Sequence, residues 1–174
     1  MKYRSIIFFL VAILIAGLAA YYLSRKPTSE ELQEQRRMLL AGFDADKIDS
    51  VTIRTDDKVL RCERDSRDEK AWNVAEPIRV RADRWEVEGI LNGFETAKKL
   101  TSIHPTKGRP LDLAQYGLDK PAKRVTFAMK RPHPRSWALV VGKEAGVEDA
   151  VFVGLENEEG VYSVKKRVKG EFRP

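Results

Sequence analysis

Residues 6–23, IIFFLVAILIAGLAAYYL, run for 18 positions without a charge. A helix rises about 1.5 Å per residue, so this stretch reaches roughly 27 Å, close to the ~30 Å hydrocarbon core of a bilayer. Lys2 and Arg4 precede it, and Arg25 and Lys26 follow. A cleaved signal peptide would need small residues at its end, and Gly17-Leu18-Ala19 offers them. The apolar run nevertheless continues through Tyr21, Tyr22 and Leu23, and tyrosines beside a basic dipeptide suit a membrane interface. The expectation is therefore an uncleaved transmembrane signal anchor at 6–23 behind a cytoplasmic N-terminus at 1–5. Counting nearby basic residues favours a cytoplasmic C-terminal side, whereas a short basic head before one apolar segment favours export. The expected arrangement is a single-pass protein of the inner (cytoplasmic) membrane with its C-terminal domain extracytoplasmic. Ala12, Ala16 and Ala20 recur every fourth position with Gly17 beside them. Small residues at that spacing form a helix-packing face for a membrane partner, or simply reflect how common alanine is in such helices.

Removing residues 1–23 leaves roughly 150 residues, enough for one domain with a core. The net charge falls from +6 to +4, because only Lys2 and Arg4 are lost. The remaining charges are mixed in sign along the chain, which describes a solvated surface and not a nucleic-acid footprint. The one cysteine, Cys62, cannot form an internal disulfide.

Thr28-Ser29-Glu30-Glu31 fits a capping box, so a short charged helix should follow to about Ala41, stopped by Gly42. Residues 24–42 read as a helical stalk. The domain spans 43–164 and a basic tail 165–174. Ile48–Arg54 and Lys58–Arg64 form a hairpin pattern around Asp56-Asp57, and Trp72–Ala75 is a third strand closed by Pro77. Asp83 caps an amphipathic helix in which Val87, Ile90, Leu91, Phe94 and Ala97 recur at three and four, running to about Lys98. Leu100–Ile103 is a further short strand. Leu111–Tyr116 reads as one helical turn ended by Gly117, with Leu118 folding back as in a Schellman stop. Strands follow at Lys123–Met129, Arg135–Val141, Val147–Leu155 and Gly160–Val164. Val51-Thr52-Ile53 and Val125-Thr126-Phe127 each open a hairpin, a faint internal repeat. The expected class is α+β: an N-terminal transmembrane helix and helical stalk, then antiparallel β hairpins packed on one main amphipathic helix.

The inventory of reactive residues is thin. His104 and His133 lie beside prolines in loops, and a metal site would need more ligands. Cys62 sits in a β run and reads as a small packed residue. Asp44, Asp46 and Asp49 lack the spacing and glycine of a calcium loop. No nucleophile elbow, P-loop or dinucleotide fingerprint is present. No cofactor, metal or catalytic residue is implied. Trp72, Trp85 and Trp137 are core or rim residues, or a binding face if two of them are exposed together.

The residues with the strongest pattern are Leu113-Ala114-Gln115-Tyr116-Gly117-Leu118-Asp119-Lys120-Pro121, followed by a strand with Val140-Val141-Gly142-Lys143. With Phe43-Asp44-Ala45-Asp46, Trp72-Asn73-Val74-Ala75-Glu76-Pro77 and the helix from Asp83, they resemble the bacterial DUF4340 domain, a family of unknown function, over most of residues 43–164. Tyr116, Gly117, Leu118, Asp119 and Pro121 have structural work as a turn that ends a helix and starts a strand. The resemblance implies an accessory subunit of a membrane complex, with ABC-type transporter subunits as partners; the apolar segment adds the bilayer, the mixed charges argue against nucleic acid, and the thin inventory of reactive residues makes the expected role non-catalytic. The alternative is a tethered module that captures an extracytoplasmic glycan or peptide.

Overall fold

Val51-Thr52-Ile53 and Val125-Thr126-Phe127 pair directly with each other. In the computed structural model, which describes residues 13–15, 17, 21, 28–106, 110–130, 133–146 and 149–166, Thr52 lies opposite Thr126, Val51 opposite Phe127 and Ile53 opposite Val125. This antiparallel contact between β1 (Ser50–Thr55) and β6 (Lys123–Met129) joins two meanders. On one side run β2 (Val59–Arg64), β3 (Trp72–Glu76) and the two-residue β4 (Val80–Arg81). On the other run β7 (Arg135–Ala145), β8 (Ala150–Leu155) and β9 (Val161–Lys165). The short β5 (Thr101–Ile103) crosses to the far edge and pairs with β9. The order is β4-β3-β2-β1-β6-β7-β8-β9-β5, with every pairing antiparallel.

This corrects the expected class. The described chain is mostly one nine-stranded antiparallel sheet with few helices. Local alternation marks each strand but carries no signal that β1 and β6, about 70 residues apart, fuse the hairpins into one sheet.

One face of that sheet carries the main core. Directly paired residues share a face, so Val51, Cys62, Val125, Phe127, Leu139, Val153 and Tyr162 converge. Helix α2 (Arg84–Glu95) contributes Val87, Ile90, Leu91 and Phe94 to the same cluster. Asp83 caps α2 by accepting from the amides of Trp85 (2.8 Å) and Glu86 (3.4 Å). The helix ends at Glu95, short of Lys98, because Lys98 enters an antiparallel bridge with Met38. Leu39 and Leu40 are buried in the same core. Phe43 stands edge-on to Phe127 at 5.0 Å and to Trp137 at 5.3 Å. The Asp44-capped turn at Ala45–Lys47 is tied to α2 through Glu95, whose carboxylate accepts from the Ala45 amide at 3.3 Å.

Arg64 locks the start of this half. Its guanidinium donates to the carbonyls of Ile48 (2.9 Å), Glu69 (2.6 Å) and Ala45 (3.3 Å), and lies 4.6 Å over the ring of Trp72. A planar five-donor group suits this position, because it reaches several carbonyls and an aromatic face at once.

Helix α1 (Ser29–Arg37) has the expected capping box: the Glu31 amide donates to Thr28 Oγ1 at 3.3 Å, and the Thr28 amide donates to the Glu31 carboxylate at 2.8 Å. It ends before Met38 and does not run to Ala41, and no residue of it is buried. Of the apolar stretch 6–23, Ile13, Leu14, Ile15, Gly17 and Tyr21 are described, helical and exposed. Residues 6–12, 16, 18–20, 22 and 23, including Ala12, Ala16 and Ala20, lie outside the described residues, as does the tail beyond Lys166. Among the described residues no helix is long and apolar enough to cross a membrane. The expected single-pass anchor, and with it an inner-membrane location with an extracytoplasmic domain, is corrected on that finding.

Candidate functional site

The segment from Asp112 to Pro121 builds a turn that is locked onto the second face of the sheet. Asp112 caps the 3-10 turn Leu113–Tyr116 by accepting from the Ala114 amide at 3.1 Å. Gly117 then adopts φ 68°, ψ 29°, a left-handed conformation that glycine enters without a side-chain penalty. Its amide donates to the Ala114 carbonyl (3.1 Å), and the Leu118 amide donates to the Leu113 carbonyl (2.9 Å). These two bonds make the Schellman-type stop and turn Leu118 inward.

Leu118 is buried against β7 and β8, where Gly142 and Gly154 leave it room. A Cβ on Gly142 would lie 2.9 Å from Leu118 Cδ2 and closer still to the Tyr116 carbonyl oxygen. The Tyr116 ring stands edge-on to Phe152 at 5.0 Å. Lys143 lies across Gly117, where a Cβ would be 2.6 Å from its Cγ, and its Nζ donates to the Ala114 carbonyl at 3.1 Å. Tyr-Gly-Leu and Val-Gly-Lys are thus two halves of one packing contact. Asp119 remains exposed beside it, and Pro121, half-buried, leads into β6.

With this geometry in place, comparison with protein families is decisive: the family described as Domain of unknown function (DUF4340) matches residues 72–172, more than half of the chain. The chain belongs to the DUF4340 family. The match begins at Trp72, at the start of β3, and not at Phe43. Comparison with curated proteins and with solved structures finds no match. Within this DUF4340 chain, the paired Tyr-Gly-Leu and Val-Gly-Lys segments both fall inside the matched residues.

The three tryptophans do not form a shared face. Trp72 is fully buried at 0% exposure under Arg64. Trp137 is half-buried, with its ring against Phe43 and its Nε1 donating to the Ala41 carbonyl at 3.3 Å. Trp85 alone of the three projects outward, at 78% exposure. It stands in the first turn of α2 with Arg84 Cζ 5.6 Å from its ring centre. Just before it come Ile78 (69% exposed) and Val80 (53% exposed), at and beside the edge strand β4. Three large apolar side chains therefore lie open within eight positions of the chain. Ile78 and Val80 carry no signal in the sequence, because a two-residue strand after Pro77 leaves no alternation to detect.

A second cluster has no signature in the sequence. The Tyr162 hydroxyl donates to the Glu158 carboxylate, and Lys99 Nζ lies 3.5 Å from that carboxylate and 4.1 Å over the Tyr162 ring. The His104 ring stands edge-on to Tyr162 at 5.9 Å. Burial first, and then the hydrogen bond to Glu158 and that carboxylate's charge, push the Tyr162 phenol up to about 12. It stays protonated at neutral pH and acts as a donor, not as a base. Its fourfold spacing from Glu158 lies across a turn and into β9, where no helical rule would pair the two.

The remaining candidates are occupied by folding. The Asp44 carboxylate, held below the ordinary aspartate range first by its bond to Lys47 (2.6 Å), also caps Asp46. Asp49 accepts from the Lys130 amide at 2.6 Å. Cys62 is buried and free, and burial raises its thiol above the ordinary value. His133 is exposed in its loop. Among the described residues no three His, Cys, Asp or Glu side chains gather as metal ligands. An apolar cleft between α2 and the β1–β2 hairpin, lined by Val51, Ile53, Leu60, Cys62, Val87 and Ile90, encloses only about 10 Å³, at the lower limit for one water molecule.

Proposed function

We propose that this DUF4340 domain is a non-catalytic interaction module, and that its partner docks on the edge formed by Ile78, Val80 and Trp85. The observation that carries this reading is that three large apolar side chains are exposed within eight positions of the chain: Ile78 just before the edge strand β4, Val80 in it, and Trp85 in the first turn of α2. Single exposed apolar residues are ordinary, whereas a group of them favours a protein contact, and tryptophan is among the residues that most often dominate binding energy. The subunits of ABC-type transporters implied by the resemblance are the first partners to test. Two tryptophans exposed together would favour the glycan- or peptide-capturing alternative, and Trp85 stands exposed without Trp72 or Trp137.

The test is chemical cross-linking of the tagged full chain at native abundance, followed by mass spectrometry. The expected result is reproducible links to one protein complex, lost in Trp85→Ala. Capture of the chain alone, with a reagent that reports a known complex in the same cells, would overturn the reading.

A further inference from the structure

We infer that the partner adds a strand to β4, and that this strand alternates acidic with apolar residues. The inference rests on the interaction reading above and goes further by naming the mode and the chemistry. Ala82 donates its amide to the Trp72 carbonyl at 2.9 Å. Backbone groups alternate in direction along an antiparallel ladder, so Val80, opposite Val74, also faces β3. The amide and carbonyl of Arg81, between them, point away from the sheet.

Nothing among the described residues pairs with this free edge, because β4 is the last strand of the sheet order. An edge of this kind is a template for an extended segment. Side chains then dictate the partner's sequence. Val80 shares the face of Val74, on the α2 side, and Ile78 and Trp85, two and five positions away in the chain, are also exposed. Arg81 shares the opposite face with Asn73. A strand laid beside β4 meets apolar surface at one position and arginine at the next.

The charges select the sign. Arg79 and Arg81 are exposed and have no ion-pair partner among the described residues, whereas Arg84 is held by Glu88 at 2.6 Å. Of the neighbouring acids, Asp83 is engaged as the α2 cap; Glu76 and Glu86 lie on β3 and α2 and not on β4. Short, charged edges resist indiscriminate pairing. Two arginines on this one exclude basic strands and admit acidic ones.

The experiment titrates the full chain with a synthetic peptide of alternating glutamate and valine, and with its lysine–valine counterpart. Binding is read from tryptophan emission and from amide hydrogen exchange. The glutamate peptide is expected to bind saturably, shift emission to the blue in a way that Trp85→Phe removes, and protect the Arg81 amide. The double variant Arg79→Glu, Arg81→Glu should weaken it by about tenfold and favour the lysine peptide. Equal binding of both peptides, or no protection at Arg81, overturns strand addition. If those results came with cross-links that still depend on Trp85, the interaction reading would stand and only the mode would fall.

Discussion

Leu118 occupies the space that a side chain on Gly142 would need, 2.9 Å from its Cδ2 to a Cβ placed there. Two short sequence patterns 25 positions apart are thereby explained by one contact, in which a left-handed turn presses a leucine onto a bare strand. The same contact closes part of the second face of the sheet, over Gly154 and Phe152.

Gly142→Ala should therefore be costly. The new methyl group meets the Tyr116 carbonyl as well as Leu118, and backbone yields less easily than a flexible side chain. Overpacking of this kind costs about 1–3 kcal/mol. Chemical denaturation should show a lower midpoint with an unchanged slope. Leu118→Ala removes the other half of the contact and should cost about 2–5 kcal/mol.

Arg64→Lys should destabilise the chain despite keeping the charge. Lysine cannot reproduce donation to Ile48, Glu69 and Ala45 together with stacking on Trp72. Hydrogen bonds involving a charged group are each worth about 1.5–3 kcal/mol, so a loss of at least that size is expected in the same denaturation assay.

The α2 cap supplies a smaller, cleaner test. Asp83→Ala leaves the amides of Trp85 and Glu86 without their carboxylate acceptor. The expected loss is about 0.5–2 kcal/mol. Asp83→Asn should recover most of it, since an amide oxygen also caps.

Tyr162 makes stability depend on alkaline pH. Its folded pKa, about 12, exceeds the ordinary 10.0, so the folded state favours the protonated phenol. That contribution is complete below pH 10 and is lost as pH rises from there through about 12. Relative to Tyr162→Phe, the wild-type chain should keep a constant stability difference up to pH 10 and lose it progressively above. A difference that stayed flat across this window would mean that the phenol is not perturbed.

Much of the local structure was legible in the sequence. The capping box at Thr28 and Glu31, the Asp83 cap, the Gly117 stop and the alternation of β6 each need only neighbouring residues, and each appears where those residues place it. The long-range arrangement was not legible. Val51-Thr52-Ile53 looked like a faint copy of Val125-Thr126-Phe127, and nothing local says that the two lie side by side as the seam of one sheet. The departure of the chain from α1 at Arg37 depends on Lys98, which draws Met38 into a bridge. The candidate edge escaped notice for a related reason: β4 is set by pairing with β3, and Ile78 and Val80 carry no periodicity of their own.

Trp85 is the residue on which the account of function turns, and it should separate binding from folding. It is open to solvent, so Trp85→Ala should leave stability within about 0.5 kcal/mol, as surface changes usually do. The most direct measurement places a photo-activated cross-linking amino acid at position 85 in the full chain, at native abundance, and identifies what it captures. The account predicts one partner protein captured reproducibly from position 85 and not from an exposed position on the opposite edge, such as Thr101 in β5. Equal capture from both positions, or none from position 85, would contradict it.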